Sequence, residues 1–172
     1  MNLKELLVTV HEALQSANIE HALIGAFAMA CYGIQRATGD IDFLIDEEDK
    51  NKAIEVLGKI GFTVFYQSDE VLQLQGPGNI DFLIARRPLS REMLKEAKPF
   101  PSLNIKSVSL EDIIGLKIQA YRNNPKREFR DKADIISIIE TNYKLNWDKI
   151  KQYADIFNAW EEISQLRNKT YE

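Results

Sequence analysis

The sequence predicts an α/β (α+β) fold: a small mixed β-sheet with flanking helices, followed by a C-terminal helical segment. Two patterns lead to this prediction. In the first half of the chain, short apolar runs bounded by glycine or turn residues alternate with stretches of helical periodicity. From about residue 109 onward only helical patterns occur. The 45% hydrophobic and 28% charged residues among 172 are ordinary for a globular protein with its own core.

The individual elements follow from local signals. Leu3, Leu6, Leu7, Val10 and Leu14 recur at helical spacing in the first helix, and Ser109 followed by Asp112 is a variant capping box for a later one. The helices that we expect cover residues 2–17, 26–33, 46–61, 90–97, 109–122, 128–143 and 146–169. The strands that we expect cover residues 21–25, 40–45, 62–67, 70–75 and 79–85, the third and fourth forming a hairpin.

Domain organisation and location are predicted from composition. Prolines and charges become frequent after residue 85, so we expect a core at 1–88 and a mostly helical extension at 89–172, packed on it or counted with it as one domain. The net charge of −4 excludes a molecule that binds nucleic acid over its whole surface. The charged N-terminus and the lack of a long apolar run predict a cytoplasmic protein without a membrane partner.

Three acidic residues stand out because they lie on predicted strands. Asp40 and Asp42 are two residues apart, so both side chains project from one face of the strand. Asp81 lies in "NIDFLI", which nearly duplicates "DIDFLI" at 40–45. If the two strands are neighbours, three carboxylates converge, and such a cluster needs cations to neutralise it. Oxygen ligands of this kind suit Mg²⁺, and two such ions can support phosphoryl or nucleotidyl transfer.

Each of these signals has a structural alternative. An isolated D-x-D pattern most often ends a strand on the solvent side. The Gly25–Ala26 turn offers backbone N–H groups to a phosphate, although glycine at such a turn often serves packing alone. The acid pair, the third acid and the glycine turn together favour a metal-dependent phosphate-transfer site.

The stretch "LIGAFAMACYGIQRATGDIDFLID" (23–46) resembles the signature of the nucleotidyltransferase superfamily with the polymerase-β-like fold. Gly25 matches the glycine of the signature, Asp40 and Asp42 match its acid pair, and Asp81 its third acid. Ala26 stands where the family usually has Gly or Ser. The phrase "YGIQRATGDID", the helix "SLEDIIGLKIQAYR" and "RDKADI" are similar to the branch that includes the AbiEii-type toxins. The resemblance covers about residues 20–136.

The resemblance implies Mg²⁺-dependent transfer of a nucleoside monophosphate from an NTP, such as ATP, to an acceptor hydroxyl. Mn²⁺ is a possible substitute. The catalytic and metal-binding residues would be Asp40, Asp42 and Asp81, and the nucleotide-binding residues would be Gly25, Ala26, Arg36, Thr38 and Lys117. The acceptor would be RNA such as tRNA, a protein or a small molecule, and a toxin would have an antitoxin partner. The alternative is a non-catalytic nucleotide-binding or protein-interaction module that retains the fold.

Other polar residues leave two interpretations open. Arg36 either contacts phosphate or is a solvated loop residue. Lys117 is either a counter-charge for the triphosphate or a surface lysine of an amphipathic helix. The basic run at 126–132 is either a contact for phosphates or an exposed helix start. His11 and His21 show no pattern typical of metal binding or nucleophilic chemistry.

Overall fold

A computed structural model of the chain describes residues 1–141 and 144–172. The chain forms two compact units, of which unit 1 comprises Met1–Cys31 and Gln35–Val108, and unit 2 comprises Tyr32–Ile34 and Ser109–Glu172. The segment 89–108 thus belongs to unit 1, and the division at 88/89 stays a prediction. Within the described residues, no helix combines the length and apolar character needed to cross a membrane.

Unit 1 is built on a seven-stranded mixed sheet. Its strands are β1 (His21–Leu23), β2 (Asp40–Asp46), β3 (Thr63–Gln67), β4 (Val71–Gln75), β5 (Asn79–Ala85), β6 (Lys98–Pro99) and β7 (Lys106–Ser107). They lie in the order β3-β4-β5-β2-β1-β7-β6. The pairs β2–β5 and β1–β7 are parallel, and the other neighbours are antiparallel. The mixed sheet, the β3–β4 hairpin and the five expected strands are confirmed.

The two central strands separate an apolar face from a polar one. Residues alternate between the faces of a strand, and the β2–β5 register pairs Asp42 with Asp81 and Phe43 with Phe82. One face of the two strands is therefore buried throughout, with Ile41, Phe43, Ile45, Ile80, Phe82 and Ile84. The opposite face carries the carboxylates, and we call it the acidic face. The apolar face anchors both strands in the core and so fixes their register.

Four helices accompany the sheet. They are α1 (Leu3–Ser16), α2 (Gly25–Cys31), α3 (Lys50–Gly58) and α4 (Pro88–Glu96). Asn2 and Glu5 form a capping box at the start of α1. The helix expected over 46–61 begins later, because residues 47–49 form a 3₁₀ turn for which the Asp46 side chain accepts a hydrogen bond.

Unit 2 consists of helices α5 (Leu110–Asn123), α6 (Glu128–Glu140), α7 (Trp147–Ile156) and α8 (Trp160–Tyr171). The Ser109–Asp112 capping box is confirmed. The single helix predicted over 146–169 is wrong, because Asn158 has a left-handed backbone with φ +52° that an α-helix does not accommodate. Residues 142–143 of the helix predicted over 128–143 lie outside the described part of the chain.

Helices α5 and α7 pack closely around a glycine. A Cβ atom added to Gly115 would lie 2.6 Å from Cδ2 of Tyr153, so only glycine fits there without displacing the ring. The Tyr153 hydroxyl donates a hydrogen bond to the carboxylate of Asp112, and the Lys149 Nζ lies 3.0 Å from the same carboxylate. Unit 2 thus has a closely packed interior, and its buried Asp112 carboxylate has both a hydrogen-bond and an ion-pair partner.

Candidate active site

Three aspartates share the acidic face, and two of them stand at adjacent register positions. Asp40 and Asp42 are two residues apart on β2, and Asp81 on β5 stands directly beside Asp42 in the parallel register. All three side chains are half-buried. The expectation that the two near-duplicate strands are neighbours is confirmed. A cluster of like charges is thereby placed on a sheet face, at the positions that the alternation of the strands predicts.

The pKa of Asp81 shows the electrostatic effect of this cluster. Burial raises the pKa of the Asp81 carboxyl, the nearby charge of Asp40 raises it further, and a hydrogen bond from the Gln73 side chain opposes both effects. The same two causes, desolvation and a like charge, disfavour the ionised form in any carboxylate cluster. A bound cation would relieve the repulsion between the carboxylates.

Thr38 fixes the chain where it enters β2. Its Oγ1 donates to the carbonyl oxygen of Asp40 at 3.0 Å, and the Asp40 N–H donates back to Oγ1 at 3.2 Å. These local bonds tie the loop to the first residue of the strand and hold Asp40 in place. The predicted contact of Thr38 with a nucleotide stays a prediction. Arg36 lies half-buried in the same loop.

The glycine turn predicted from the sequence lies against the acid pair. Gly25 begins α2 with φ +64°, and a Cβ atom built on it would lie 2.4 Å from Oδ2 of Asp42. The Ile24 N–H donates to the Asp42 carbonyl oxygen at 3.0 Å, which joins the turn to β2. Ala26 follows and is largely buried. The turn is thus close enough to Asp42 that a ligand held by one meets the other.

Sequence reasoning missed Gln73. On β4 this residue stands directly opposite Asp81, and the next residue across the sheet in the same row is Tyr66 on β3. The row Asp42–Asp81–Gln73–Tyr66 therefore crosses four strands on the acidic face. The alternation in "VLQLQ" was a signal that Gln73 faces away from the core, but its partner depends on a strand register that local sequence does not specify.

Lys117 belongs to unit 2, where it is nearly buried on α5. Its Nζ lies 2.7 Å from Oδ2 of Asp134 and 3.3 Å from Oδ1 of Asp131 on α6. The Arg127 guanidinium reaches Asp131 as well, at 3.0 Å. Lys117 is therefore part of an ion-pair network rather than a surface lysine. Its predicted role toward the triphosphate stays a prediction.

The basic run at 126–132 is partly neutralised by acids of unit 2. Arg127 pairs with Asp131, and the Lys132 Nζ lies 2.6 Å from Glu128 and 3.1 Å from Glu162. An ion pair within the protein weakens the attraction of each cation for an external phosphate. Of the two interpretations left open by the sequence, the pairing favours the structural one for Arg127 and Lys132.

The donor set of the acidic face suits a hard divalent cation. No group of three or more His, Cys, Asp or Glu side chains among residues 1–141 and 144–172 is gathered closely enough to form a ready-made metal cage. Mg²⁺ seldom uses such a cage, since it usually binds one or two carboxylates, several waters and the phosphates of its substrate. Carboxylates that offer only oxygen ligands, beside a glycine turn, therefore fit Mg²⁺ in its usual mode of binding.

A mixed sheet with a glycine turn against an acid pair, and a third acid in register beside it, is the arrangement that the resemblance to nucleotidyltransferases implies. The family follows from a direct comparison. A family model described as the nucleotidyl transferase AbiEii toxin of type IV toxin–antitoxin systems matches residues 10–170, and the chain belongs to this family. A comparison with curated proteins finds no match.

Solved structures share the fold at low sequence identity. The chain is similar to ANT(2'')-Ia in complex with adenylyl-2''-tobramycin, with 15% identity, a TM-score of 0.58, and coverage of 97% of this chain and 95% of that one. An antigenic nucleotidyltransferase-like protein from Paracoccidioides brasiliensis gives 18% identity, a TM-score of 0.57, and coverage of 96% and 92%. The lincosamide adenylyltransferase LnuA with bound lincomycin gives 15% identity, a TM-score of 0.52, and coverage of 66% and 84%. These likenesses establish the fold, and the family establishes that the chain is an enzyme that transfers a nucleoside monophosphate.

Proposed function

We propose that this protein is the cytoplasmic toxin of a toxin–antitoxin pair and transfers a nucleoside monophosphate from an NTP to an acceptor hydroxyl in a Mg²⁺-dependent reaction. The observation that carries the proposal is the register of β2 and β5, which sets Asp81 beside Asp42, while the Asp42 carboxylate fills the space where a Cβ of Gly25 would lie. The proposed phosphate cradle and the carboxylates would therefore form one site within unit 1.

The nucleotide-binding side of the site is the glycine turn. Backbone N–H groups at Gly25 and Ala26 would receive phosphate oxygens, because a short helix start with small residues lets a phosphate approach closely. Arg36 and Thr38, in the loop before β2, would bind the nucleotide from the adjacent side.

The carboxylates Asp40, Asp42 and Asp81 would hold the metal, with Mn²⁺ able to replace Mg²⁺. When bound, Mg²⁺ would supply charge neutralisation for both the triphosphate and the developing negative charge of the transition state. The fold fixes where the three side chains lie. Strand alternation puts Asp40 and Asp42 on one face of β2, and the parallel register puts Asp81 beside Asp42. Most of the rate enhancement would then come from orientation and electrostatics rather than covalent catalysis.

Asp81 is the residue that we propose as the general base. It would accept the proton of the acceptor hydroxyl as a new bond forms between the hydroxyl oxygen and the α-phosphorus. The bond between the α-phosphorus and the bridging oxygen to the β-phosphate breaks, and pyrophosphate leaves. Burial and Asp40 raise the pKa of Asp81 toward the operating pH, which makes the carboxylate a stronger base than an exposed aspartate.

The proposed acceptor follows from the family and from structures that share the fold. Membership of a toxin family favours a macromolecular acceptor such as tRNA or a protein, with an antitoxin as partner. A small-molecule acceptor is the second candidate, because two structures of the same fold carry an adenylylated aminoglycoside and a lincosamide.

The test is nucleotide incorporation by the wild-type protein and an Asp40→Ala/Asp42→Ala double variant. Each is incubated with labelled ATP, CTP, GTP or UTP, Mg²⁺, and total tRNA, cell lysate, tobramycin or lincomycin. We expect incorporation by the wild type and a loss of at least about 100-fold in the double variant, since metal-held charge stabilisation contributes several kcal/mol. Removing Mg²⁺ with EDTA should have the same effect.

A matched double variant serves as the control. Asp69→Ala/Glu70→Ala removes two acids whose ion-pair partners are surface arginines. It should keep wild-type incorporation. Equal incorporation by all three proteins, or none by the wild type with every acceptor, would contradict the proposed function.

A further inference from the structure

We infer that Gln73 is a positioning residue for the metal site: its side-chain amide holds the Asp81 carboxylate so that one oxygen stays available toward Asp42. The inference rests on the proposed function, because it assigns Asp81 to a divalent cation. Gln73 itself would contact neither the metal nor the nucleotide.

The geometry of the sheet places Gln73 on the far side of Asp81. The antiparallel register of β4 and β5 sets Gln73 directly opposite Asp81, and the parallel register of β2 and β5 sets Asp42 on the other side. Neighbouring strands lie about 4.8 Å apart, so each of these side chains is within reach of the next. Asp81 thus has a carboxylate on one flank and an amide on the other.

Asp81 requires an interaction that holds it in place on the acidic face. It is half-buried and stands beside Asp42, with Asp40 on the same face. Without a tether, the repulsion between like charges would turn the Asp81 side chain away from β2, and the metal would lose a ligand oxygen. The Gln73 side chain stands at the paired position on β4 and donates a hydrogen bond to the Asp81 carboxylate.

A neutral donor suits this position better than a cation. A lysine or arginine beside Asp81 would form an ion pair and compete with the metal for the carboxylate. An amide N–H fixes the carboxylate while leaving its full negative charge for the metal. Amide and carboxylate partners of metal ligands commonly act in this way, and their removal costs 10–100-fold in affinity or activity.

The neighbouring carboxylate, that of Asp42, is restrained as well. The Asp42 carboxylate fills the space where a Cβ of Gly25 would lie, and Gln73 stands directly opposite Asp81 on β4. The two central carboxylates are therefore confined between a backbone turn and an amide, which limits how far they can turn from each other before a metal binds.

The experiment measures Mn²⁺ binding by electron paramagnetic resonance, with and without a non-hydrolysable ATP analogue. Gln73→Met keeps the length and approximate volume of the side chain but removes the donor. Gln75→Met is the matched control, because Gln75 lies two residues along the same strand, on the same face, opposite Asn79 instead of an acid. We expect Mn²⁺ affinity to fall about 10–100-fold in Gln73→Met and to stay within about 2-fold of wild type in Gln75→Met.

A second variant distinguishes the positioning role from a folding defect. Gln73→Thr has high strand propensity and is too short to reach Asp81, so it should show the same loss with an unchanged thermal midpoint. If both Gln73 variants fold and bind Mn²⁺ as tightly as Gln75→Met, the positioning role is wrong.

Failure of the proposed function gives a different pattern. If Mn²⁺ affinity is unaffected by Asp81→Asn and by Asp40→Ala/Asp42→Ala, the carboxylates hold no metal, and both the function and the role of Gln73 are contradicted. If those acid variants lose Mn²⁺ while the Gln73 variants do not, the function stands and only the role of Gln73 is contradicted.

Discussion

At the scale of single residues, the site depends on one glycine more than the motif suggests. Glycine at position 25 satisfies two independent requirements. Its φ of +64° lies in the left-handed region that L side chains rarely adopt, and the space where a Cβ would lie is occupied by the Asp42 carboxylate. A substitution there strains the backbone and displaces a proposed metal ligand at the same time.

Gly25→Ala and Gly33→Ala separate these two effects. Gly33 also has a positive φ, +81°, but a Cβ on it would meet nothing within 4 Å. We expect Gly33→Ala to lower the free energy of unfolding by about 1 kcal/mol through backbone strain and to leave Mn²⁺ binding intact. Gly25→Ala should cost more stability and also weaken Mn²⁺ binding at least about 10-fold. Denaturant unfolding and Mn²⁺ titration of both variants check this, and equal Mn²⁺ affinities would show that Asp42 tolerates the added methyl group.

At the scale of elements, the sequence predicts what depends on local pattern. The alternation in "DIDFLI" and "NIDFLI" predicts two strands with acids on one face, and the Gly25, Gly33 and Gly61 positions mark turns that the positive φ angles confirm. Contacts that depend on register or on a distant element were missed. Gln73 faces Asp81 only because β4 pairs with β5. The helix break at Asn158 could not be predicted, because no proline or glycine lies at that position.

The hydrogen bond between the two histidines is a second contact between elements that the local sequence pattern did not predict. The Nδ1 of His11 on α1 lies 2.8 Å from Nε2 of His21 on β1, and Nδ1 of His21 lies 2.7 Å from the Ile19 carbonyl oxygen. Since that carbonyl can only accept, His21 donates through Nδ1 and accepts from His11 through Nε2. His21 is buried, and its ring packs edge-on against Phe43 of the core.

This pair predicts a loss of stability in mild acid. Burial lowers the pKa of His21, with a smaller effect of the His11 charge in the same direction, and burial lowers the pKa of His11. The unfolded chain then binds protons that the folded chain refuses, so the free energy of unfolding falls as pH drops below about 6.5. We expect the free energy of unfolding, measured by denaturant unfolding, to be lower at pH 5.5 than at pH 7.5.

The chain contains two histidines, so removing both isolates their contribution. In His11→Gln/His21→Gln, the difference in unfolding free energy between pH 7.5 and 5.5 should shrink, whatever the effect on absolute stability. A decrease of the same size in the double variant would assign the acid sensitivity to carboxylates instead.

At the scale of the whole molecule, repulsion at the acidic face lowers the free energy of unfolding, and the packing of the rest of the fold offsets this loss. All predicted site residues except Lys117 belong to unit 1, whose apolar sheet face carries the buried core. The net charge of −4 adds a general repulsion to the local one between Asp40 and Asp81. Elsewhere in the described residues the buried acids have cationic partners, as Asp131 and Asp134 have in Lys117. The acidic face is thus the region where stability and proposed function are opposed.

Asp81→Asn therefore should make the folded protein more stable and less active. A carboxyl whose pKa is raised in the folded state favours folding at low pH, and this contribution is lost as pH rises above the folded pKa; at pH 7 the ionised group is a cost. Replacing it by a neutral isostere should increase the free energy of unfolding by about 1 kcal/mol, or about 2–4 °C in Tm for a chain of this size. The difference from wild type should narrow as pH falls toward the ordinary aspartate pKa of about 4, because the raised pKa of Asp81 makes it increasingly protonated in the folded wild type. Asp69→Asn, which changes an exposed acid, should leave Tm nearly unchanged and keep nucleotide transfer. A lower Tm for Asp81→Asn at pH 7 would mean that the Asp81 carboxylate stabilises the fold, and that the repulsion on the acidic face is already compensated without a metal.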